Sequence, residues 1–134
     1  MKLKHYTLKP YQLESKHLSQ IHNIIEKVVG EKKDEYWDNY TDYSVFDQTM
    51  ITIGVVDDKV KCFSSIYTRE FYGDYVYRLF NRFLVDDDIR EEGGSKSYKG
   101  EHRFFDMIHQ QIEFVKTLKP KFYFMSRQRK NTRW

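Results

Sequence analysis

The stretch 50–85, MITIGVVDDKVKCFSSIYTREFYGDYVYRLFNRFLV, limits the fold more than any other part of the chain. Three runs rich in β-branched and aromatic residues are separated by Asp57–Asp58 and by FYGDY, breaks short enough for tight turns. Runs joined this way predict a three-strand antiparallel meander, because each strand can fold straight back on the one before it. In the third run, strict alternation places Tyr75, Tyr77, Leu79, Asn81, Phe83 and Val85 on one face. It places Val76, Arg78, Phe80, Arg82 and Leu84 on the other. The first face is largely apolar; the second sets two arginines beside a phenylalanine.

The flanking segments change period. KLKHYTL alternates and predicts a short first strand, whereas LESKHLSQIHNIIEKVVG repeats Leu18, Ile21, Ile25 and Val28 at helical spacing, with Gly30 placed to cap the C-terminus. A second short helix is expected over the tyrosine-rich stretch containing Trp37, Tyr40 and Tyr43, with Asp34 as its N-cap. GEHRFFDMIHQQIEFVKTLKP predicts a long helix beginning near Gly100 or Glu101. Its stripe is Phe104/Phe105, Ile108, Ile112, Val115 and Leu118, and Pro120 marks its end. FYFMS reads as a buried fifth strand. The order β-α-α-β-β-β-α-β defines a mixed α/β (α+β) sheet in one domain, residues 1–134, a size at which one ordinary core suffices.

Composition excludes several classes. A single cysteine, Cys62, rules out an intrachain disulfide and a multi-cysteine zinc site, and suits a reducing cytoplasm. Cys62 alternates with Phe63 on a strand and reads as a small buried hydrophobe. The histidines at positions 5, 17, 22, 102 and 109 have no metal-ligand spacing, so no metal is expected. MKLKHYTLKP lacks the apolar core of a signal peptide, and no run is long enough to span a membrane. Net charge is +3, which permits an anionic ligand without demanding nucleic acid. The absence of alanine fits coding bias in an AT-rich genome such as a phage's.

Between the fourth strand and the long helix lies VDDDIREEGGS, residues 85–95. A strand end facing a helix N-terminus suits phosphate, since unpaired N–H groups and the helix dipole both favour an anion. The rival reading of this loop is a solvated turn. The element order and this loop resemble the GNAT N-acetyltransferase superfamily, whose signature V-x-P-x-x-R-x-x-G-x-G/A follows its fourth strand. Val85, Arg90 and Gly93 fall in register, Asp87 stands where the family has proline, and Ser95 replaces the final small residue. Glu91 and Glu92 set negative charge beside the loop, and SKSYKGEH separates it from the helix. Family members continue beyond the fifth strand with a further helix and two strands, so the resemblance implies a shortened or divergent member.

What the resemblance implies is binding of acetyl-coenzyme A by Phe83, Leu84, Val85, Arg90, Gly93, Gly94, Ser95 and Lys96, with Lys99 and Arg103 as second choices. Acetyl transfer to a primary amine on a small molecule or peptide needs a proton acceptor. Asp86 is the candidate on or near the fourth strand, with Glu70 and Asp74 as alternatives at the hairpin. Tyr123, or Tyr98 in the loop, could protonate the leaving thiolate; a packed ring is the rival explanation of each. Trp37 and Tyr40 are candidates to line the acceptor cleft, against a half-buried amphipathic helix. Two other functions compete: an inactive GNAT-fold module that self-associates as a homodimer through an open sheet edge, and a small basic nucleic-acid binder. The second would use Arg78, Arg82 and the tail Arg127, Arg129, Lys130, Arg133 and Trp134.

Overall fold

The structure, a computed structural model, describes residues 3–30, 35, 37–38, 49–86, 97–98, 101–121 and 123–125. Strand β1 (Lys4–Leu8) leads through a 3₁₀ turn, Pro10–Gln12, into helix α1 (Ser15–Val28). Then follow β2 (Met50–Val56), β3 (Lys59–Phe71) and β4 (Asp74–Val85). A two-stranded ribbon, β5 (Ser97–Tyr98) and β6 (Glu101–His102), precedes helix α2 (Arg103–Thr117), and β7 (Tyr123–Met125) ends the described order. The main sheet runs β1-β2-β3-β4-β7; β1 to β4 are antiparallel and β7 lies parallel to β4. Of the expected second helix, Glu35, Trp37 and Asp38 are helical, and the rest lies outside the described residues.

The meander forms because both its turns fit the right-handed twist of the strands. Asp57 and Asp58 have φ of 51° and 63°, and Tyr72 and Gly73 have 51° and 83°. Paired positive φ values belong to the two-residue turns that hairpins favour. Asp58 also anchors its turn to α1, accepting from Lys16 and from His17 Nε2 at 3.2 Å. These bonds, that from Lys16 foremost, hold its carboxyl below the usual range. Gly30 takes φ of 75° and donates to Ile25 O at 3.3 Å, closing α1 as its position in the sequence predicts.

One helix covers each face of the sheet. Ile21, Ile24 and Ile25 of α1 meet Ile51, Ile53, Val55, Val60 and Phe63. Each of these isoleucines is at most 1% exposed and stabilises the fold by about 1.5–3 kcal/mol. On the opposite face, Met107 of α2 packs with Cys62 and Val85, and Val115 packs with Ile66, Tyr77 and Leu79.

Three expectations are corrected. Helix α2 starts at Arg103, after the short strand Glu101–His102, and not at Gly100 or Glu101. Its inward line is Met107, Ile108, Gln111 and Val115, while Phe105 is 59% exposed, so the helix is rotated from the stripe the apolar residues suggest. Strand β7 is not buried: Tyr123, Phe124 and Met125 are all exposed, because the strand lies at the end of the sheet with β4 as its neighbour.

His5 on β1 supplies a pH handle. Burial holds its imidazole below the ordinary value of 6.5, against a smaller upward pull from Asp106, and its Nε2 is shielded without a hydrogen-bond partner. The folded state thus binds this proton less readily than the unfolded chain. The associated stability is complete above about pH 6.5 and drains as pH falls through that value towards the lowered native one. His5→Gln should narrow the loss of urea midpoint between pH 7.5 and pH 5. An unchanged loss would show that His5 does not control it.

Candidate functional site

Strands β4 and β7 run side by side for three residue pairs, Tyr77↔Tyr123, Arg78↔Phe124 and Leu79↔Met125. Among the described residues the pairing ends there, while β4 continues through six more residues to Val85. Within that continuation β4 bulges twice. Phe63 faces Leu84, Ser65 faces Asn81 and Tyr67 faces Arg78, so each two-residue step on β3 meets a three-residue step on β4. Phe80 and Arg82 take φ of 58° and 55°, an arrangement that costs a non-glycine residue about 1–2 kcal/mol.

A buried polar network sustains this geometry. Gln111 of α2 is fully buried; its Oε1 accepts from Phe80 N at 2.6 Å, and its Nε2 donates to Thr52 Oγ1 at 3.2 Å and to Ser64 O at 3.3 Å. Asn81 Nδ2 donates to Ser65 Oγ at 2.8 Å, and the Ser64 and Ser65 hydroxyls donate back to Asn81 O at 3.0 and 3.3 Å. Each bulge alone would turn the following side chains to the wrong face. Two restore the parity, so Val85 still shares a face with Tyr77 and Leu79, as simple alternation predicts. Phe80, expected on the opposite face, instead joins them and stacks on Phe83 at 4.9 Å.

The sequence candidates divide as follows. Val85 is buried against Cys62 and Met107, and Phe83 lies half-buried on the same side. Leu84 packs toward the α1 cluster. Asp86 follows directly; its N–H donates to Lys61 O at 2.7 Å and its carboxylate accepts from Lys27 at 2.8 Å. Trp37 packs on the α1 cluster and meets His22 edge-on at 5.3 Å. Tyr123 lies across from Tyr77, whose phenol is raised above its usual value by burial and then by Tyr75. Asp74 is bonded to Lys121 at 3.0 Å. Tyr40, Arg90, Gly93, Gly94, Ser95 and Lys96 lie outside the described residues. Among the described residues no group of His, Cys, Asp and Glu could hold a metal ion, and no helix is long and apolar enough to cross a membrane.

No family model matches the sequence, and no curated protein matches it significantly. Solved structures do. A GNAT family acetyltransferase from Staphylococcus aureus superposes with a TM-score of 0.62 at 15% identity, covering 100% of this chain and 93% of that one. The chain has the GNAT fold. An aminoglycoside acetyltransferase from an uncultured soil sample, solved with trehalose, gives 0.63 at 15% identity, covering 95% and 78%. A transcriptional regulator from Bacillus halodurans gives 0.66 at 8% identity, covering 96% and 84%. Agreement at such identities lies in the backbone path, and one fold carries differing functions.

On the GNAT fold the two bulges of β4 are the local departure from a regular ladder. Sequence reasoning missed Gln111, although one signal existed: it interrupts an apolar stripe three residues after Ile108 and four before Val115. It missed the bulges because RLFNRF carries no glycine to mark them.

Proposed function

We propose that this GNAT-fold chain transfers an acetyl group from acetyl-coenzyme A to a primary amine on a small molecule or peptide. The observation that carries the proposal is the doubly bulged β4, with β7 parallel beside it, ahead of the start of α2 on a GNAT fold. A bulged strand carries backbone groups free of its ladder that a narrow ligand can pair with, and a helix start favours its phosphates. Phe83, Leu84 and Val85 would border the ligand's arm through their backbone, and Arg90, Gly93, Gly94, Ser95 and Lys96 would hold the diphosphate.

Acetyl-coenzyme A supplies an activated thioester when bound. As the amine nitrogen bonds to the acetyl carbon and the carbon–sulfur bond breaks, Tyr123 would give a proton to the sulfur and the amine's proton would pass to water. Asp86 stands nine residues along the chain from Tyr77, the partner of Tyr123, on the order of 25 Å away, too far to act on the same amine. No covalent enzyme intermediate is needed. Trp37 and Tyr40 would border the acceptor. Positioning and backbone polarisation of the carbonyl supply most of the acceleration in such direct transfers. A cytoplasmic location suits the cofactor and the single cysteine.

Isothermal titration with acetyl-coenzyme A should show saturable heat, and a thiol-release assay with mixed amines should show turnover. No heat at millimolar ligand would defeat the proposal. The exposed edge strand β7 supports a second reading, self-association through that edge. Light scattering across a concentration series should then show a dimer that Phe124→Lys disperses; a monomer at every concentration would end this reading.

A further inference from the structure

The Arg78 side chain makes no hydrogen bond or ion pair among the described residues, and its Nε is shielded from solvent without a partner. Its cross-strand neighbours are Tyr67 on β3 and Phe124 on β7, so the three form a row on the α1 face of the sheet. The row stands one residue before Leu79, the last described position at which β7 accompanies β4. Arg78 therefore lies between β3 and β7 two residues before the first bulged segment of β4.

A shielded N–H without an acceptor destabilises a fold, and in the half-buried Arg78 the Nε edge is the shielded part. Among the described residues, the carboxylates on β3 and β4 do not meet this need. Asp74 lies four residues back on β4 and bonds to Lys121. Glu70 pairs with Tyr75 and falls on the opposite face by alternation. Asp86 is bonded to Lys27 at the far end of β4. What suits the buried edge of the guanidinium is a planar oxyanion, which accepts from Nε and one Nη together.

We infer that Arg78 binds a carboxylate on the acceptor, which is thus an amine of amino-acid type whose apolar or aromatic body lies between Tyr67 and Phe124. The inference rests on the acetyl-transfer reading for the word acceptor, but the carboxylate site stands on Arg78 itself. Phe124, 47% exposed, leaves the row open to a ligand from outside.

The test compares N-acetylphenylalanine with N-acetyl-2-phenylethylamine, which lacks the carboxylate, by calorimetric titration of the full chain without coenzyme. The charged pair should favour the first ligand by about 10- to 100-fold. Arg78→Met should bind both at the weaker value while melting at or above the wild-type temperature, because it removes a shielded Nε–H that lacks an acceptor. Arg78→Lys, which keeps charge but not the fork, should recover only part of the preference. Equal binding of the two ligands by the wild type would overturn the inference. So would a preference that survives in Arg78→Met, or a large fall in that variant's melting temperature, which would make the arginine structural. Carboxylate preference without any heat from acetyl-coenzyme A would leave this site standing and remove the transfer reading instead.

Discussion

Gln111→Leu should lower the unfolding free energy by about 2–4 kcal/mol, although leucine matches glutamine in size and belongs on an apolar stripe. Glutamine at this point is bonded at both ends of its amide. Its carbonyl accepts the Phe80 N–H inside the first bulge, and its NH₂ reaches Thr52 and Ser64 on two other strands. Leucine leaves the Phe80 N–H and the Ser64 carbonyl short of a partner in a dry interior, and each such loss carries its own desolvation cost. The backbone then gains by relaxing Phe80 out of its positive φ, so the bulge should shift. If the bulged strand β4 binds acetyl-coenzyme A, the affinity should fall with it. Gln111→Glu separates these effects: as a carboxylate it can still accept from Phe80 but cannot donate, and because burial favours the protonated form, which keeps one donor, it should be less stable at pH 8 than at pH 5. Urea melts of both variants check this. A Gln111→Leu midpoint equal to that of the wild type would mean that the bulge is held by something else.

The contrast between what was legible and what was not has a physical cause. The meander was legible because β-branched runs and two-residue breaks act locally, and Asp57–Asp58 and Tyr72–Gly73 adopt the φ values such turns require. The α1 stripe and Gly30 were legible for the same reason. The bulges were not, because they arise from a match between β3, β4 and a glutamine 31 residues further along the chain. Alternation placed Val85 on the right face only because two errors of one residue cancel. At the candidate site, Phe83, Leu84, Val85 and Asp86 end a described strand as the motif register implies, whereas Arg78 entered the sequence reading merely as a cation on a strand. Its importance lies in a shielded Nε with no acceptor among the described residues, which depends on the burial of one atom and so is not written in the sequence.

Gly54→Ala should destabilise the fold by about 1–3 kcal/mol, the usual cost of forcing a methyl group into a filled interior. The chain sets His5, Gly54, Cys62 and Val85 opposite one another across four neighbouring strands. A Cβ on Gly54 would lie 2.6 Å from Cys62 Sγ, and 3.5 Å from both His5 Nε2 and Leu3 Cδ1. Cys62 is fully buried with Met107 and Val85 above it, so its sulfur has no room to retreat. The glycine is therefore a consequence of the thiol, and the pair should behave as one unit. Cys62→Ala alone opens a small cavity and should cost about 1 kcal/mol. Added to Gly54→Ala it removes the sulfur that the new methyl strikes, and the double variant should be more stable than Gly54→Ala by itself. A double-mutant cycle measured by urea denaturation gives the coupling directly. Strict additivity would mean that the row yields elsewhere, at β1, and would move the tight contact from Cys62 to Leu3 or His5.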